Sequence, residues 1–315
     1  MRILLAGATG VAGRRLVPEL RSAGHQVSAI TRRPERVDAL KAMGAEAVVC
    51  DVFDAARLRD VVTHARPDVV IQHLTDLPAE FNPRKIKAAY ARNDRVRGVD
   101  SANLVAAAEA AGVQRFVGQN VSFMYAPAGP AVVDEQAPLA TSAPDPFGAT
   151  VRLHAEMERR IVDNTNFAGL VLRFGFWYGP GTWFARDGST AREVLRRRYP
   201  VVGDGAGVFS FIHVDDVISA TIASLDRGAA GLYNVGDDDP APLKEWLPVY
   251  ATALGAPPPR WVPAWLARLL VGGMLVAQAT QMRGASNAKF KRELDWKPRH
   301  ASWREGFGAD LGQPS

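Results

Sequence analysis

The stretch "ILLAGATGVAGRRL" near the amino terminus constrains the fold more than any other part of this 315-residue chain. It places Gly7, Gly10 and Gly13 between an apolar run typical of a β-strand and a stretch with helical spacing. A tight glycine turn lets the backbone approach a pyrophosphate, and the start of the next helix offers free N–H groups and a positive dipole end. Glycine spacing alone is weak evidence, but its position after the first strand favours a dinucleotide site over a purely structural turn.

Short apolar runs bounded by turn residues recur between amphipathic stretches: "RILLA", "QVSAI", "AVVC", "DVVIQHL", "RFVGQ", "GLVLRF" and "LYNV". This alternation predicts an α/β fold, a Rossmann-like doubly wound parallel sheet of about seven strands with helices on both faces. From about residue 176, Gly- and Pro-rich turns separate short helices. We therefore predict a dinucleotide-binding domain of residues 1–175 plus 209–235, and a smaller C-terminal substrate lobe of residues 176–208 plus 236–315.

Composition narrows the classes of function. The net charge of +5, from 38 basic and 33 acidic residues, is too small for a nucleic-acid footprint. The single cysteine, Cys50, excludes a disulfide framework and a cysteine metal cluster, and it fits a reducing compartment. The longest apolar tract, residues 261–280, is too interrupted to span a bilayer, and no signal peptide is recognisable. We expect a cytoplasmic protein with no nucleic-acid or membrane partner.

The end of the second predicted strand points to the cofactor. Thr31 is followed by Arg32 and Arg33, where many dinucleotide sites carry an acid that bonds the ribose hydroxyls. A guanidinium can grip a 2′-phosphate, so NADP(H) is predicted over NAD; the alternative is two solvated arginines before a helix. Asp51 is placed to accept a bond from the adenine amino group, unless it is only a turn acid. The full predicted cofactor set is Gly7, Thr9, Gly10, Val11, Gly13, Arg32, Arg33, Asp51, Val52, Leu74, Thr75, Asn120 and Phe174.

Together with "LRFGFWYGPGT", "FSFIHVDDV", "LYNVGDDDPAPLKEW" and "ASNAKFKRELDWKP", these features resemble the extended short-chain dehydrogenase/reductase superfamily. More narrowly, the chain is similar to the NAD-dependent epimerase/dehydratase family over essentially its whole length. The resemblance implies a nicotinamide dinucleotide cofactor. It also implies a Tyr-x-x-x-Lys pair on a helix, with a Ser or Thr at the end of the preceding strand. The lysine lowers the pKa of the tyrosine, which then exchanges a proton with a substrate hydroxyl.

This chain departs from that proton relay at all three positions. In "DPFGATVRLHAE", Phe147 stands at the tyrosine position and Val151 at the lysine position, and in "GQNVSFMYA" Val121 replaces the Ser or Thr. Three substitutions predict different chemistry. Tyr125 and Ser122, on the loop that faces the nicotinamide in similar proteins, are the candidate catalytic residues, with packing as the alternative role. The other titratable side chains of this region are interpreted as packing residues: His73, His154 and Tyr178.

The second lobe offers fewer signals. The segment "FIHVDDV" contains His213, Asp215 and Asp216, but no metal site is predicted there. Asn234 and the acidic residues after it are predicted to form a solvent-facing turn: Asp237, Asp238 and Asp239. The lobe holds substrate in similar proteins, so the arginines of "STAREVLRRRYP" and Arg283 are candidates for binding a phosphate or carboxylate. The diphosphate-binding pattern of sugar-nucleotide enzymes is missing, so such a substrate is not expected.

Three functions remain open at this point. The first is an NADP(H)-dependent oxidoreductase of a small molecule, protonated by Tyr125, Ser122, water or the substrate itself. A substrate that yields a stable anion or a conjugated product would need no strong enzyme acid. The second is an epimerase, isomerase or dehydratase with recycled NADP, and the third is a non-catalytic NADP(H) sensor. Because relatives commonly dimerise through the helices that flank the catalytic segment, a homodimer is a further expectation.

Overall fold

A computed structural model describes residues 1–78, 80 and 86–311; for residues 86, 87, 89 and 90 it describes the backbone only. The strands are β1 (Arg2–Ala6), β2 (Gln26–Thr31), β3 (Glu46–Val49), β4 (Val69–Gln72), β5 (Arg115–Val121), β6 (Val132–Val133), β7 (Ala168–Phe174), β8 (Phe176–Tyr178), β9 (Val201–Val202), β10 (Val208–Phe209), β11 (Phe211–His213), β12 (Gly231–Val235), β13 (Ala241–Pro242), β14 (Trp261–Val262) and β15 (Gly284–Ala285).

The helices are α1 (Gly13–Ser22), α2 (Val37–Ala42), α3 (Ala55–Ala65), α4 (Ile86–Arg95), α5 (Ser101–Ala110), α6 (Phe147–Val162), α7 (Ser189–Leu195), α8 (Val214–Ala223), α9 (Leu243–Ala253), α10 (Ala264–Val271), α11 (Gly273–Gln281), α12 (Ala288–Leu294) and α13 (Trp303–Leu311). A π-helical segment, Val96–Asp100, joins α4 to α5. Among the described residues, no helix is long and apolar enough to cross a membrane.

The seven predicted runs form one sheet in the order β12-β7-β5-β4-β1-β2-β3, and every neighbouring pair is parallel. The predicted doubly wound parallel sheet is therefore confirmed. The chain builds outward from β1 in both directions, so the strand order reverses between β1 and β4. Ligands of such sheets bind in the crevice outside the carboxyl ends of the strands at this reversal. The glycine turn directly follows β1 and lies at that point.

Both faces of the sheet are covered, which explains why its central strands read as continuous apolar runs. In β4, Val69 and Ile71 pack with α1 and α8 on one face, whereas Val70 packs with α3 and α5 on the other. Helix α6 covers the second face through Met157 and Ile161. The same alternation places polar side chains of β5 and β7 toward α6, where the candidate site begins.

A separate aromatic core fills the carboxyl-terminal part, with Phe211, Trp246, Tyr250, Trp303 and Phe307 fully buried in it. Its members come largely from the segments predicted as the substrate lobe. Two contacts cross the predicted domain boundaries. Helix α12 packs on the sheet, and β6 pairs with β15. The division into two domains stays a prediction.

The prediction of a solvent-facing acidic turn was wrong for two of its members. Asn234 is 0% exposed and Asp237 is 1% exposed. The carboxylate of Asp237 accepts the N–H of Trp303 at 2.8 Å and that of Asp239 at 3.2 Å, because the start of α13 packs over the turn. Burial raises the pKa of Asp237 well above its usual value.

Candidate cofactor and active site

The glycine loop has a backbone geometry that other residues could not adopt without strain. Gly7 has φ +105°, and a Cβ added there would lie 2.5 Å from the carbonyl oxygen of His73. A Cβ at Gly13 would lie 2.3 Å from the carbonyl oxygen of Gly7. Helix α1 begins directly after this turn without a side-chain cap. The cradle therefore fits the diphosphate of a dinucleotide, in which backbone N–H groups face the phosphates. Thr9 and Val11 lie half-buried on the same loop.

The predicted adenosine-binding residues follow β2 and β3. Arg32 and Arg33 are exposed at the end of β2. Asp51 is exposed after β3, and its Oδ1 accepts the N–H of Phe53 at 3.0 Å. The neighbouring Val52 is buried, and its carbonyl oxygen accepts a bond from Asn103 at 3.0 Å. The structure thus gathers these residues at the edge where the cofactor was predicted, and their role in binding stays a prediction.

Two charged residues of this region escaped the sequence analysis. The guanidinium of Arg95 lies 4.3 Å above the ring of Phe53, next to the Asp51 turn. Asp100 is 1% exposed in the π-helical segment. Burial, reinforced by the charge of Asp51, raises the pKa of Asp100 to about 7, although Arg32 opposes this shift. A π-helical segment adds a residue to the helical turn, so sequence periodicity did not indicate where these side chains would lie.

The predicted residues beneath the nicotinamide end adjoin the glycine loop. Leu74 is half-buried and Thr75 exposed directly after β4. Phe174, at the end of β7, is fully buried, and its ring lies edge-on to that of His73 at 6.0 Å. Burial, helped by the charge of Arg97, lowers the pKa of His73 to about 3. His73 is therefore neutral at physiological pH, and its buried ring packs against Phe174, in agreement with its interpretation as a packing residue.

The three positions that depart from the proton relay meet in one apolar cluster. Val151 is 0% exposed and packs with Met124, and both Val121 and Phe147 pack against them. The remaining members of this cluster are Leu139, Ala140 and Ala143. We call it the dry wall. No titratable side chain belongs to it, so this part of the site can exclude water but cannot exchange a proton.

A buried polar network lies one and two turns further along α6. Arg173 of β7 donates two bonds to Glu158 of α6, at 2.5 and 2.6 Å, and a third to the hydroxyl of Tyr125 at 2.9 Å. The Tyr125 hydroxyl donates to Oδ1 of Asn234 at 2.7 Å. Burial raises the pKa of Tyr125, with Arg173 opposing. Tyr125, predicted as a catalytic residue, is thus protonated, and its proton is held by Asn234.

Asn120 connects this network to His154, one turn earlier on the same face of α6. Its Nδ2 donates to Glu158 at 2.6 Å, and its Oδ1 lies 2.6 Å from Nδ1 of His154. Because an amide oxygen only accepts, the proton of His154 is on Nδ1. Burial lowers the pKa of His154 to about 3, so the ring is neutral. Ser122, the second predicted catalytic residue, is buried, and its N–H donates to the carbonyl of Phe174 at 2.9 Å.

Arg97 was also missed by the sequence analysis. It is 1% exposed and donates to the carbonyl oxygen of Gln119. Its Nε has no hydrogen-bond partner among the described residues. Burial lowers the pKa of Arg97 to about 10, and Asp94 partly offsets this. A fixed positive charge therefore lies near the end of β5, although valine stands at the predicted lysine position, residue 151.

His213, Asp215 and His300 come close enough to suggest a metal site, since their possible ligand atoms lie within 4.8 Å of one another. Both ring nitrogens of His213 already have partners. Nδ1 accepts the N–H of Asp215 at 3.2 Å, and Nε2 lies 3.0 Å from Asp310. Asp215 pairs with Arg15 at 2.5 Å. Burial lowers the pKa of His213, so the ring is neutral. The cluster is therefore explained by a helix cap, a hydrogen bond from His213 to Asp310 and one ion pair, Arg15 with Asp215.

Comparisons with known proteins agree with this architecture. The model of the NAD dependent epimerase/dehydratase family matches residues 3–236. A 3-diazoavenalumate denitrifying reductase of a Streptomyces species is 49% identical over 313 residues, covering 98% of this chain and 100% of that protein. A dTDP-glucose 4,6-dehydratase of Streptomyces venezuelae, solved with NAD bound, superposes with a TM-score of 0.76 at 20% identity, covering 99% of this chain and 96% of that one. A UDP-glucose 4-epimerase of Thermotoga maritima gives 0.75 at 19% identity, with 99% and 97% covered.

The buried ion pair generates a first prediction. Arg173→Met should destabilise the protein by about 3–5 kcal/mol, because it leaves the Glu158 carboxylate buried without its partner. The matched control is Arg160→Met on α6, the helix that carries Glu158; the pair of Arg160 with the exposed Glu156 should contribute at most about 0.5 kcal/mol. Urea unfolding followed by circular dichroism measures both. Equal decreases in the free energy of unfolding of the two variants would contradict a special contribution of the buried Glu158–Arg173 pair.

Proposed function

The chain belongs to the NAD dependent epimerase/dehydratase family, and we propose that it is an NADP(H)-dependent reductase that replaces the diazo group of an aromatic compound by hydrogen and releases N₂. The observation that carries the proposal is the dry wall, in which Val121, Phe147 and Val151, the positions predicted for the family's proton relay, pack together. The relative that is 49% identical over nearly the whole chain is a denitrifying reductase of a diazo compound. The apolar cluster supports chemistry without an enzyme acid, and the relative supports a reduction that removes a diazo group.

Three arginines support NADP(H) as the cofactor. Arg32 and Arg33 are exposed at the end of β2, where many dinucleotide sites carry an acid. Arg95 lies above Phe53, and its charge acts on Asp100 together with that of Arg32. A 2′-phosphate carries negative charge and accepts bidentate bonds from guanidinium groups. Asp100 is largely buried beneath them, and its raised pKa reduces the negative charge at neutral pH. We therefore assign the 2′-phosphate to this edge.

The proposed reaction needs no proton from the protein. When bound, the nicotinamide supplies a hydride, and the overall change is Ar–N₂⁺ plus NADPH giving Ar–H, N₂ and NADP⁺. The carbon–nitrogen bond breaks, a carbon–hydrogen bond forms, and two electrons pass from the cofactor to the substrate. This reaction forms no alkoxide, so it does not need a relay that protonates one. An aromatic ring is proposed because conjugation lets a diazonium group persist in water.

The dry wall has a second role in this proposal. A diazonium ion couples with phenolates to give azo compounds and with amines to give triazenes, so the family's tyrosine and lysine would trap the substrate. Phe147 and Val151 carry neither nucleophile. Their apolar cluster also keeps water, a competing nucleophile, away from the reacting carbon. Tyr125, protonated and bonded to Asn234, positions the strand-end loop, and Ser122 remains the nearest candidate hydroxyl for orienting the substrate.

The arginines at the end of β2 generate a cofactor prediction. Arg33→Ala, alone or with Arg32→Ala, should weaken NADPH binding about 10- to 100-fold, because charge-assisted hydrogen bonds to the phosphate are lost. NADH binding should stay unchanged, and so should NADPH binding in the control Arg36→Ala, an exposed arginine on the next turn. Fluorescence titration of the reduced nucleotide measures each constant. A loss shared equally by NADPH and NADH would exclude a phosphate contact.

The reaction itself is tested by its stoichiometry. With diazotised aminocinnamate, the protein should oxidise one NADPH for each N₂ released and each cinnamate formed. Absorbance of NADPH, mass spectrometry of isotopically labelled N₂ and chromatography of the product follow the three quantities. Binding of NADPH without any turnover would favour the sensor hypothesis. Oxidation of NADPH by ketones, with no release of N₂ from the diazo compound, would overturn the proposal.

Restoring the aromatic nucleophile should turn the substrate into an inactivator. In Phe147→Tyr, we expect azo coupling at position 147 and progressive loss of turnover, whereas Phe147→Leu should remain active and unmodified there. Peptide mass mapping after incubation with the diazo compound locates the adduct, and surface residues provide the background in both variants. An unmodified and fully active Phe147→Tyr would show that this side chain does not meet the substrate.

A further inference from the structure

Arg283 occupies a fixed position where three short strands meet. The carbonyl oxygen of Met282 accepts the N–H of Val208 in β10 at 2.9 Å. On the other side, the N–H of Gly284 in β15 donates to the carbonyl oxygen of Ala131, next to β6, at 2.9 Å. Since the backbone is held on both sides of it, the side chain of Arg283 starts from a rigid base.

The register places Arg283 on the same face as residues near the candidate site. Met282, just before Arg283, has extended backbone angles, φ −57° and ψ 142°. The strand β15 begins at Gly284, directly after Arg283. Alternate residues of an extended segment share a face. Ala285 packs with Val133 and Tyr125, so Arg283 lies on the face of the strand-end loop that follows β5. That loop carries the candidate residues Ser122 and Tyr125.

The charge of Arg283 is not neutralised by the parts of the protein that are described. The side chain is half-buried, its Nε is buried without a hydrogen-bond partner, and no ion pair to it is found among the described residues. Between Glu245 and Glu293 the sequence contains no acidic residue. By contrast, Arg304 of the same lobe pairs with Asp239 at 2.9 Å. The buried Nε–H of Arg283 lacks the acceptor that a bound anion would supply.

We propose that Arg283 binds a carboxylate of the substrate and thereby selects aromatic diazo compounds that carry an acid group. This inference rests on the proposed function. A planar carboxylate matches the two-pronged guanidinium, and the name of the 49% identical relative specifies a carboxylate substrate. The two ends of such a substrate have opposite charges. Arg283 attracts the carboxylate end and repels the diazonium end, so it orients the diazo group away from itself.

The test compares two substrates in matched variants. Diazotised aminocinnamate and its methyl ester differ only in the charge that Arg283 should recognise. Arg283→Met should lower kcat/KM for the acid about 10- to 100-fold and leave that for the ester within about twofold, because charge-assisted bonds are lost only with the acid. For the acid, kcat/KM of Arg283→Lys should lie between those of wild type and Arg283→Met, since lysine keeps the positive charge but cannot form the two parallel hydrogen bonds of a guanidinium. Arg268→Met, an exposed arginine of the same lobe, should behave as wild type.

The outcomes separate the inference from the function on which it rests. If wild type releases N₂ and Arg283→Met impairs the acid and the ester equally, the carboxylate contact is wrong and the reductase stands. If wild type releases no N₂ from either compound, the proposed function fails. Calorimetric binding of cinnamate, the reaction product, then decides the inference: it holds if wild type binds and Arg283→Met does not, and it is overturned if both bind alike. Thermal unfolding verifies that each variant is folded.

Discussion

The buried ion pair between Glu158 and Arg173 ties helix α6 to strand β7, and the geometry of the candidate site depends on it. Removing two charges from water costs several kcal/mol for each ion, and only good geometry with further hydrogen bonds offsets that cost. Here both conditions are met. The pair is bidentate, Glu158 also accepts from Asn120, and Arg173 also donates to Tyr125. The ends of β5 and β7 are thereby fixed relative to α6.

Helix α6 divides the site into a dry part and a polar part. Phe147 and Val151 lie four residues apart on one face, and His154 and Glu158 continue that face by steps of three and four. The first turns therefore contribute to the dry wall, and the later turns hold the network of Asn120 and Arg173. This order gathers the bonded polar groups on the later turns and leaves apolar side chains at the positions predicted for the proton relay.

Structure that depends on residues close in sequence could be predicted, whereas contacts between residues far apart in sequence could not. The glycine loop and the seven strands depend on neighbouring residues, so spacing and turn chemistry were enough to place them. The substituted relay positions were found by resemblance, but their convergence into one cluster required the tertiary structure. Arg97 and Asp100 gave no signal, because a π-helical segment shifts their register. The burial of Asp237 was missed because α13, more than sixty residues later, supplies the N–H group that it accepts.

In the proposed function, the fold keeps a hydride site without the proton relay, because different parts of the structure build the two. The cofactor cradle is backbone, formed by the close approach of Gly7 to the carbonyl of His73 and by the start of α1. The relay consists of three side chains, and replacing all three with apolar groups exchanges polar desolvation for hydrophobic burial. The ion pair of Glu158 and Arg173 contains none of these positions, so it still fixes α6. The predicted dinucleotide site would then serve a substrate whose electrophile is strong enough to accept a hydride without protonation.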